Sequence, residues 1–426
     1  MKYKKNVISN LILHVLSIGI GFVTSILIAR SLGPENQGQL SYYVLIFGLI
    51  ATYGHLGVNS STSYFLKKTN FKREDITNTN ISMLIILDVL YIVAIILFRN
   101  ILFSSYVYGL LAIWIIYTTS LLFSNFLITI YISEEKIYVY NRFLIFIQIL
   151  KGVVITILYF ANTLNIITIS MLYAATEIIK LILLLRGLKL SYRPKVKIKV
   201  LKEELKYGIP LYFAALFIYL NYRVDQLMVK QYLGNNELGI YSISVTLAEL
   251  AFIFPESISS AFEGRLYSCK EEERRPATMQ TVKLAFYLTT IICIIGICCK
   301  PLVSILYGLE YERAGITMVI LLIGIAFASI GKVVPAYFYT SGRPKIHFRV
   351  SAIVLIINLT FNLLLIPKIG INGAAIASTI GYIFYGMIYL VLLKKEGFSI
   401  KELLYIRRDE IERLRKYVYQ KIQGVK

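Results

Sequence analysis

Apolar runs of about twenty residues, each closed by a short polar or turn-forming segment, recur along the whole of this 426-residue chain. That pattern leaves few folds open. Lipid cannot hydrogen-bond a bare backbone, so a run that crosses a bilayer must be a helix or a strand of a closed barrel. The alternating in-and-out pattern of barrel strands is absent, and helices remain. Composition agrees: 57% of the residues are hydrophobic and 16% charged, and mean hydropathy is +0.68, far above a soluble domain. The chain reads as an all-α integral membrane protein.

Twelve transmembrane helices are expected, over residues 7–29, 38–66, 76–98, 104–132, 138–160, 165–186, 206–232, 238–264, 277–299, 314–340, 346–366 and 370–393. Breaks with clear turn chemistry fall at Gly33-Pro34, Asn162 to Asn165, Gly234-Asn235-Asn236, Gly342-Arg343-Pro344 and Pro367 to Gly370. Lys2, Lys4 and Lys5 precede an apolar stretch too long for a cleavable signal and lacking an A-x-A exit, so the first span is expected to stay as an anchor. With the N-terminus placed inside, the outer segments hold only Arg30, Arg99, Lys300, Arg313 and Lys368, against 32 basic residues on the inner ones. This bias sets both termini in the cytoplasm. It also accounts for most of the +21 net charge, so nucleic-acid binding is not needed to explain it. Cys269, Cys293, Cys298 and Cys299 show no metal-ligand spacing, and no cofactor is implied.

The longest polar connection, Gly187 to Lys206, divides the spans into six and six. The expected organisation is an N-terminal six-helix lobe (1–190), a cytoplasmic linker (191–205), a C-terminal six-helix lobe (206–393) and a basic amphipathic tail (394–426) lying on the anionic inner leaflet. An even number of spans per lobe gives parallel repeats related by an axis along the membrane normal. Leu32-Gly33 to Gly38 and Leu233-Gly234 to Gly239 repeat one L-G-x4-G pattern, each after the first span of its half.

Three stretches carry a resemblance. Ala29-Arg30-Ser31-Leu32-Gly33-Pro34 to Gly38 resembles the A-R-x-L-G-P-x-x-x-G turn of bacterial polysaccharide-export flippases, the Wzx-like branch of the MATE/MOP superfamily. Asp225-Gln226-Leu227-Met228, Gly234 and Leu238-Gly239-Ile240-Tyr241 are similar to that family's D-x-x-[ML]…G…[VL]-G-x-Y stretch. Asn358 to Ala377, with Ile366-Pro367-Lys368-Ile369-Gly370 and Gly373-Ala374-Ala375, is similar to its L-N…I-P-x-x-G-x-x-G-A-A-x-A signature. The resemblance implies two lobes around a central cavity and export of undecaprenyl-diphosphate-linked oligosaccharide across the bacterial inner membrane for surface polysaccharide assembly. It implies polysaccharide-assembly proteins as partners. Twelve spans, where fourteen are usual for lipid II flippases, mark a departure within the superfamily.

The residues themselves point to a wet interior. Charges at bilayer depth are costly and face other helices or water; Asp88, Lys151, Glu177, Lys180, Arg223, Asp225, Glu249, Glu256 and Lys332 are the deep set. Arg223 shares a helix face with Tyr219, Gln226 and Lys230 and offers a rigid fork to phosphate oxygens. Lys151 (beside Gln148), Lys180 and Lys332 complete the candidate substrate-binding cations, while Glu177, three residues before Lys180, can neutralise it. Glu249, Glu256 and Glu263 recur every seven residues, a stripe drifting about 20° per step on an ideal helix, and Pro255 beside Glu256 can free a backbone carbonyl and bend that helix. Glu249 and Glu256, with Asp225, are the candidate ion-coupling residues, with H+ or Na+ as the ion; pairing with Arg223 or Lys332 is the plainer alternative. His14, His55 and His347 read as packing residues rather than a proton relay.

Two rivals are weighed. A MATE-type cation or drug antiporter would show a predominantly acidic, aromatic pocket, whereas the four cations favour an anionic cargo. A membrane enzyme of polysaccharide synthesis would need a large external loop or a histidine constellation, and neither is present; the chain is read as no enzyme. There is no P-loop to supply direct ATP drive.

Overall fold

The computed structural model describes residues 2–404 except 70, 104–107, 189, 191 and 344, and every regular element among them is helical. From the N-terminus, α1 (Lys2–Tyr53) leads to α2 (Val58–Lys68), α3 (Arg73–Leu97), the short α4 (Arg99–Leu102), α5 (Tyr108–Ser133), α6 (Ile137–Phe160), α7 (Ile166–Leu188) and α8 (Ile198–Glu249). The chain continues through α9 (Ile253–Ser268), α10 (Glu271–Cys298), α11 (Pro301–Tyr307), α12 (Glu312–Val333), α13 (Pro335–Thr340), α14 (Lys345–Lys395) and α15 (Ile400–Leu404). The side chains of Lys2, Lys4, Lys5 and His14, and the tail beyond residue 404, lie outside the described residues.

Nine helical runs among the described residues are long and apolar enough to cross a membrane. Three of them draw on the long helices α1, α8 and α14, of 52, 52 and 51 residues. A straight helix of that length would extend about 75 Å, more than twice a hydrocarbon core of about 30 Å. Each is broken at a glycine instead: Gly33 (φ 65°, ψ 171°), Gly234 (φ 87°, ψ −171°) and Gly370 (φ 63°, ψ −144°). Side chains close off that region of backbone space to other residues. With two limbs counted for each long helix, the twelve expected spans are recovered.

Three of the expected spans are interrupted, one of them at the bend expected beside Pro255. The span at 38–66 breaks over Gly54 to Gly57, where Leu56 (φ 50°) and Gly57 (φ 88°) turn left-handed and His55 Nδ1 accepts the Gly57 amide at 3.1 Å. The span at 238–264 passes through a 3₁₀ turn, Leu250–Phe252, ahead of Pro255. The span at 314–340 is interrupted at Val334, ahead of Pro335. Proline has no N–H to give and crowds the carbonyl four residues earlier, so the helix yields on its N-terminal side.

Packing divides the chain into two units, the first Met1–Ser242 with Ser304–Tyr311, the second Ile243–Val303 with the chain from Glu312. Phe47, Phe103 and Trp114 stack in the first, with ring centroids 5.6 and 5.7 Å apart, and Tyr43 packs beside them. The 304–311 segment is held to α1 by Arg30, whose Nε donates to Leu306 O at 2.6 Å and whose Nη2 donates to Ile305 O. The guanidinium thereby meets the negative end of α11. Tyr311 adds a bond to Ala29 O at 3.2 Å.

The two L-G-x4-G segments meet inside this first unit. Their first glycines are the breaks in α1 and α8; their second glycines let the two backbones cross. A Cβ added at Gly38 would lie 1.8 Å from Asn235 O, and one at Gly239 would lie 1.9 Å from Pro34 O. Each contact is the image of the other, displaced by 201 residues, and Ser41 Oγ bonds Ser242 Oγ, its own image, at 3.0 Å. The repeat seen in the sequence is thus a local twofold in space.

In the second unit, α12 and α14 pack through small residues. Gly324 lies against Thr379, Gly331 against the Tyr385 ring, and Gly386 against Phe327 O. In lipid, association rests on such close packing rather than on the hydrophobic effect. α14 ends as Gly397 turns left-handed (φ 84°). There Arg343 grips Glu396 with two parallel bonds of 2.7 and 2.9 Å, and Arg275 Nη2 reaches Glu396 O at 2.7 Å. The guanidinium holds the Glu396 carboxyl below the usual carboxylate range. This tie is therefore present above that range and is lost as pH falls through the lowered value. Acidification is expected to raise hydrogen exchange in 396–404 modestly, since both groups are partly exposed; Glu396→Gln should show the raised exchange already at neutral pH.

Candidate functional site

Three helices of the first unit build the most chemically complete site. Apolar faces of α5, α6 and α7 bring Trp114 and Tyr117, Lys151, and Tyr173 together. Lys151 Nζ stands 3.4 Å from the centre of the Tyr173 ring, a cation over a π face. Tyr173 lies 6.3 Å from Trp114 and 6.4 Å from Tyr117, and Trp114 and Tyr117 meet edge-on at 5.0 Å. Trp114 Nε1 donates to Ser170 Oγ at 3.1 Å, so its polar edge is satisfied and its face is left for packing. No carboxylate pairs with Lys151 among the described residues, and its side chain is only half-buried. Gln148, one turn earlier, reaches Ser17 O at 3.5 Å.

The other predicted residues are distributed differently. Lys180 forms an ion pair with Glu177, and the two side chains are 8% and 15% exposed, so its charge is already balanced in a dry setting. Asp88 is buried and accepts from Thr119 Oγ1 at 2.9 and 3.1 Å. Arg223 is half-buried. Its face of α8 looks to the second limb of α1: the Tyr219 and Tyr53 rings meet tilted, with centroids 5.1 Å apart, and Lys230 lies 5.6 Å from the Tyr42 ring. Asp225 points elsewhere, as its spacing requires; it is 3% exposed and accepts from Tyr241 OH at 2.6 Å. That bond ties the two limbs of α8 across the Gly234 break.

In the second unit, Lys332 Nζ bonds Glu256 Oε1 at 2.7 Å and lies 4.7 Å from the Phe252 ring. This is the plainer alternative, a Glu256–Lys332 pair. Glu249 ends α8, and the 3₁₀ turn then separates it from Glu256 and Glu263 on α9, so the acidic stripe is not carried by one straight helix. His347 Nδ1 meets Tyr389 OH at 2.5 Å in a buried aromatic nest. His55 is likewise a turn-forming packing residue.

Of the four predicted cations, two are ion-paired, and Lys151 faces aromatic rings. The aromatic cluster itself was missed; the signal was the chain's single tryptophan with a tyrosine three residues on, on the same helix face. Glu204 was missed too, because 191–205 reads as a solvated linker. The signal there was its position between Val200 and Gly208 at helical spacing.

Comparison with known proteins places this geometry. The family described as "Polysaccharide biosynthesis protein" matches residues 3–263, and the MatE family matches residues 210–364. The capsular polysaccharide biosynthesis protein CapF of Staphylococcus aureus is 26% identical over 401 residues, covering 88% of this chain and 97% of that protein. Among solved structures, the lipid II flippase MurJ in an inward closed conformation superposes with a TM-score of 0.78 at 14% identity, covering 93% of this chain and 88% of that one. An inward-facing multidrug resistance MATE transporter of the MOP superfamily superposes with a TM-score of 0.73 at 14% identity, covering 89% and 94%.

Proposed function

The chain belongs to the polysaccharide biosynthesis protein family, and from that premise we propose that it is a flippase for undecaprenyl-diphosphate-linked oligosaccharide in the bacterial cell membrane. The cargo is an anionic diphosphate joined to sugar rings. The observation that carries this reading is Lys151, a cation without a carboxylate partner among the described residues, set over the Tyr173 ring, with Tyr117 and the buried Trp114 behind it. A lysine attracts phosphate as a point charge, and aromatic faces suit the apolar faces of sugars. Arg223, on a face shared with Tyr219 and Lys230, is a second phosphate contact.

The moving bodies are the 1–190 and 206–393 lobes, joined by the 191–205 linker, with both termini cytoplasmic. Alternating access by rocking of these lobes carries the headgroup while the polyprenyl tail stays in lipid. No bond is made or broken. H+ or Na+ coupling through Asp225, Glu249 or Glu256 belongs to the same proposal, as does docking with polysaccharide-assembly proteins. The paired state of Glu256 makes it a group released only when Lys332 moves away.

The direct test is transport by the full chain in liposomes, using a fluorescent undecaprenyl-diphosphate oligosaccharide and a membrane-impermeant quencher. Protein-dependent equilibration between leaflets is expected; equilibration no faster than in empty liposomes would overturn the reading. In cells, Arg223→Ala should remove surface polysaccharide at unchanged membrane abundance, measured by surface staining and immunoblot. Normal polymer in that variant would take Arg223 out of the pathway.

A further inference from the structure

The first nine residues of α8, Ile198 to Lys206, carry five charges and precede the apolar stretch that enters the membrane. They do not lie in solvent as a free linker. Val200 and Glu204 are fully buried, Val200 packing with Phe65 of α2 and Ile76 of α3. One turn beyond, Gly208 and Gly57 touch backbone to backbone; a Cβ on either would lie 2.4 Å from the other's carbonyl oxygen. A strap precedes them. Asn78 Oδ1 accepts the Arg193 amide and Thr79 Oγ1 accepts the Lys197 amide, both at 3.1 Å, while Lys197 Nζ pairs with Asp75 at 2.5 Å.

Glu204 sits at the centre of this docked segment with 0% exposure. Its Oε1 accepts from Asn80 Nδ2 at 3.1 Å and lies 3.4 Å from Thr62 Oγ1. Its Oε2 is buried and has no hydrogen-bond partner. Among the described residues, no charged group faces it from the packed elements. Lys197 is paired with Asp75, Arg73 with Glu134, and Lys67 with Glu135. Lys199, Lys202, Glu203 and Lys206 are exposed, and His55 of the neighbouring turn is engaged with the Gly57 amide. An ionised carboxylate in such a place would bear the cost of lost hydration with no counter-charge, and only the Asn80 and Thr62 contacts to offset part of it. Sodium is a poor occupant, because Asn80 turns its N–H₂ toward the carboxylate, and a cation needs lone pairs.

We propose that Glu204 is a proton-binding site: it takes a proton from water when the start of α8 docks on α2 and α3, and returns it when that segment lifts away. Burial pushes its carboxyl up to about 7, the Asn80 and Thr62 contacts offsetting only part of this. The sign follows. The docked form holds the proton over a range where the undocked form does not, so docking weakens as pH rises and levels off above the docked value. The strap and the Gly57–Gly208 contact make the linker and the first turns of α8 respond together. Proton occupancy thus sets whether the connection between the proposed lobes is clamped or free, whatever the cargo.

Hydrogen exchange of the peptides spanning 192–208, in the full-length protein in nanodiscs and corrected for intrinsic rates, tests this without transport. Between about pH 5.5 and about pH 8, protection in wild type should fall roughly tenfold or more. Glu204→Gln, neutral at every pH, should hold the high-protection level throughout. Gly208→Leu, which blocks docking by bulk, should give low protection at both pH values, showing that the peptides report docking. Flat protection in wild type, or an equal fall in Glu204→Gln, would overturn the site. A dependence on sodium at fixed pH would overturn the proton as its ligand.

Discussion

Gly38→Ala is expected to leave little folded protein, and Gly239→Ala to do the same. One methyl is a small change on most helices; in exposed interiors, alanine for glycine even helps by up to about 1 kcal/mol. Here the methyl would sit 1.8 Å from Asn235 O in one case and 1.9 Å from Pro34 O in the other, where ordinary contact needs well over 3 Å. The obstacle is backbone on a crossing helix, which cannot swing aside as a side chain would. Separating the helices would also open the Ser41–Ser242 bond. Overpacking typically costs about 1–3 kcal/mol, and a rigid neighbour puts these sites at the top of that range or beyond it. Gly48 lies on the same limb with nothing within 4 Å of an added Cβ, so Gly48→Ala is the matched control. Thermal stability of the detergent-solubilised chain is the measurement. A Gly38→Ala protein that melts with wild type would show that the crossing is not the contact that holds this unit.

Two lysines on neighbouring helices should fail in opposite ways. Lys151→Ala is expected to lower transport about tenfold to hundredfold at unchanged folded abundance, since a hydrogen bond to a charged group is worth about 1.5–3 kcal/mol. Its present neighbour is the Tyr173 ring at 3.4 Å, which loses little when the ammonium goes. Lys180→Ala removes one partner of a buried ion pair and leaves Glu177 uncompensated. A loss of about 3 kcal/mol in stability is expected there, seen as reduced membrane abundance. Neutralising both partners, Lys180→Met with Glu177→Gln, should restore abundance. Leaflet equilibration in liposomes, normalised to folded protein, separates the two effects. Full transport by Lys151→Ala would remove the aromatic site from the proposed pathway.

Much of this architecture was legible because single residues dictate it. Gly33, Gly234 and Gly370 take backbone angles closed to other residues, so they announce turns in any context. The bend ahead of Pro255 was legible beside Glu256, whereas the break near Pro335 was as legible in principle and was passed over, since hydropathy runs smoothly through it. The break at Gly54 to Gly57 was harder, because two glycines around His55 have meaning only with the Gly57–Gly208 contact in view. Ion pairing divides the same way. Glu177 and Lys180 are three residues apart and their pairing follows from helix geometry, whereas Glu256 and Lys332 are 76 apart and nothing local joins them.

The sequence by itself determined that this chain is helical and crosses a membrane about twelve times, that it repeats after half its length, and which family it belongs to. Those properties reside in hydropathy along the chain and in glycine and proline backbone constraints, which act locally. Only the tertiary structure decided which charges are satisfied. It placed Lys151 over the Tyr173 ring, closed Lys332 onto Glu256, and buried Glu204 in what reads as a solvated linker. A side chain's charge is a property of its residue; its counterion and its solvent are properties of whatever the fold puts beside it.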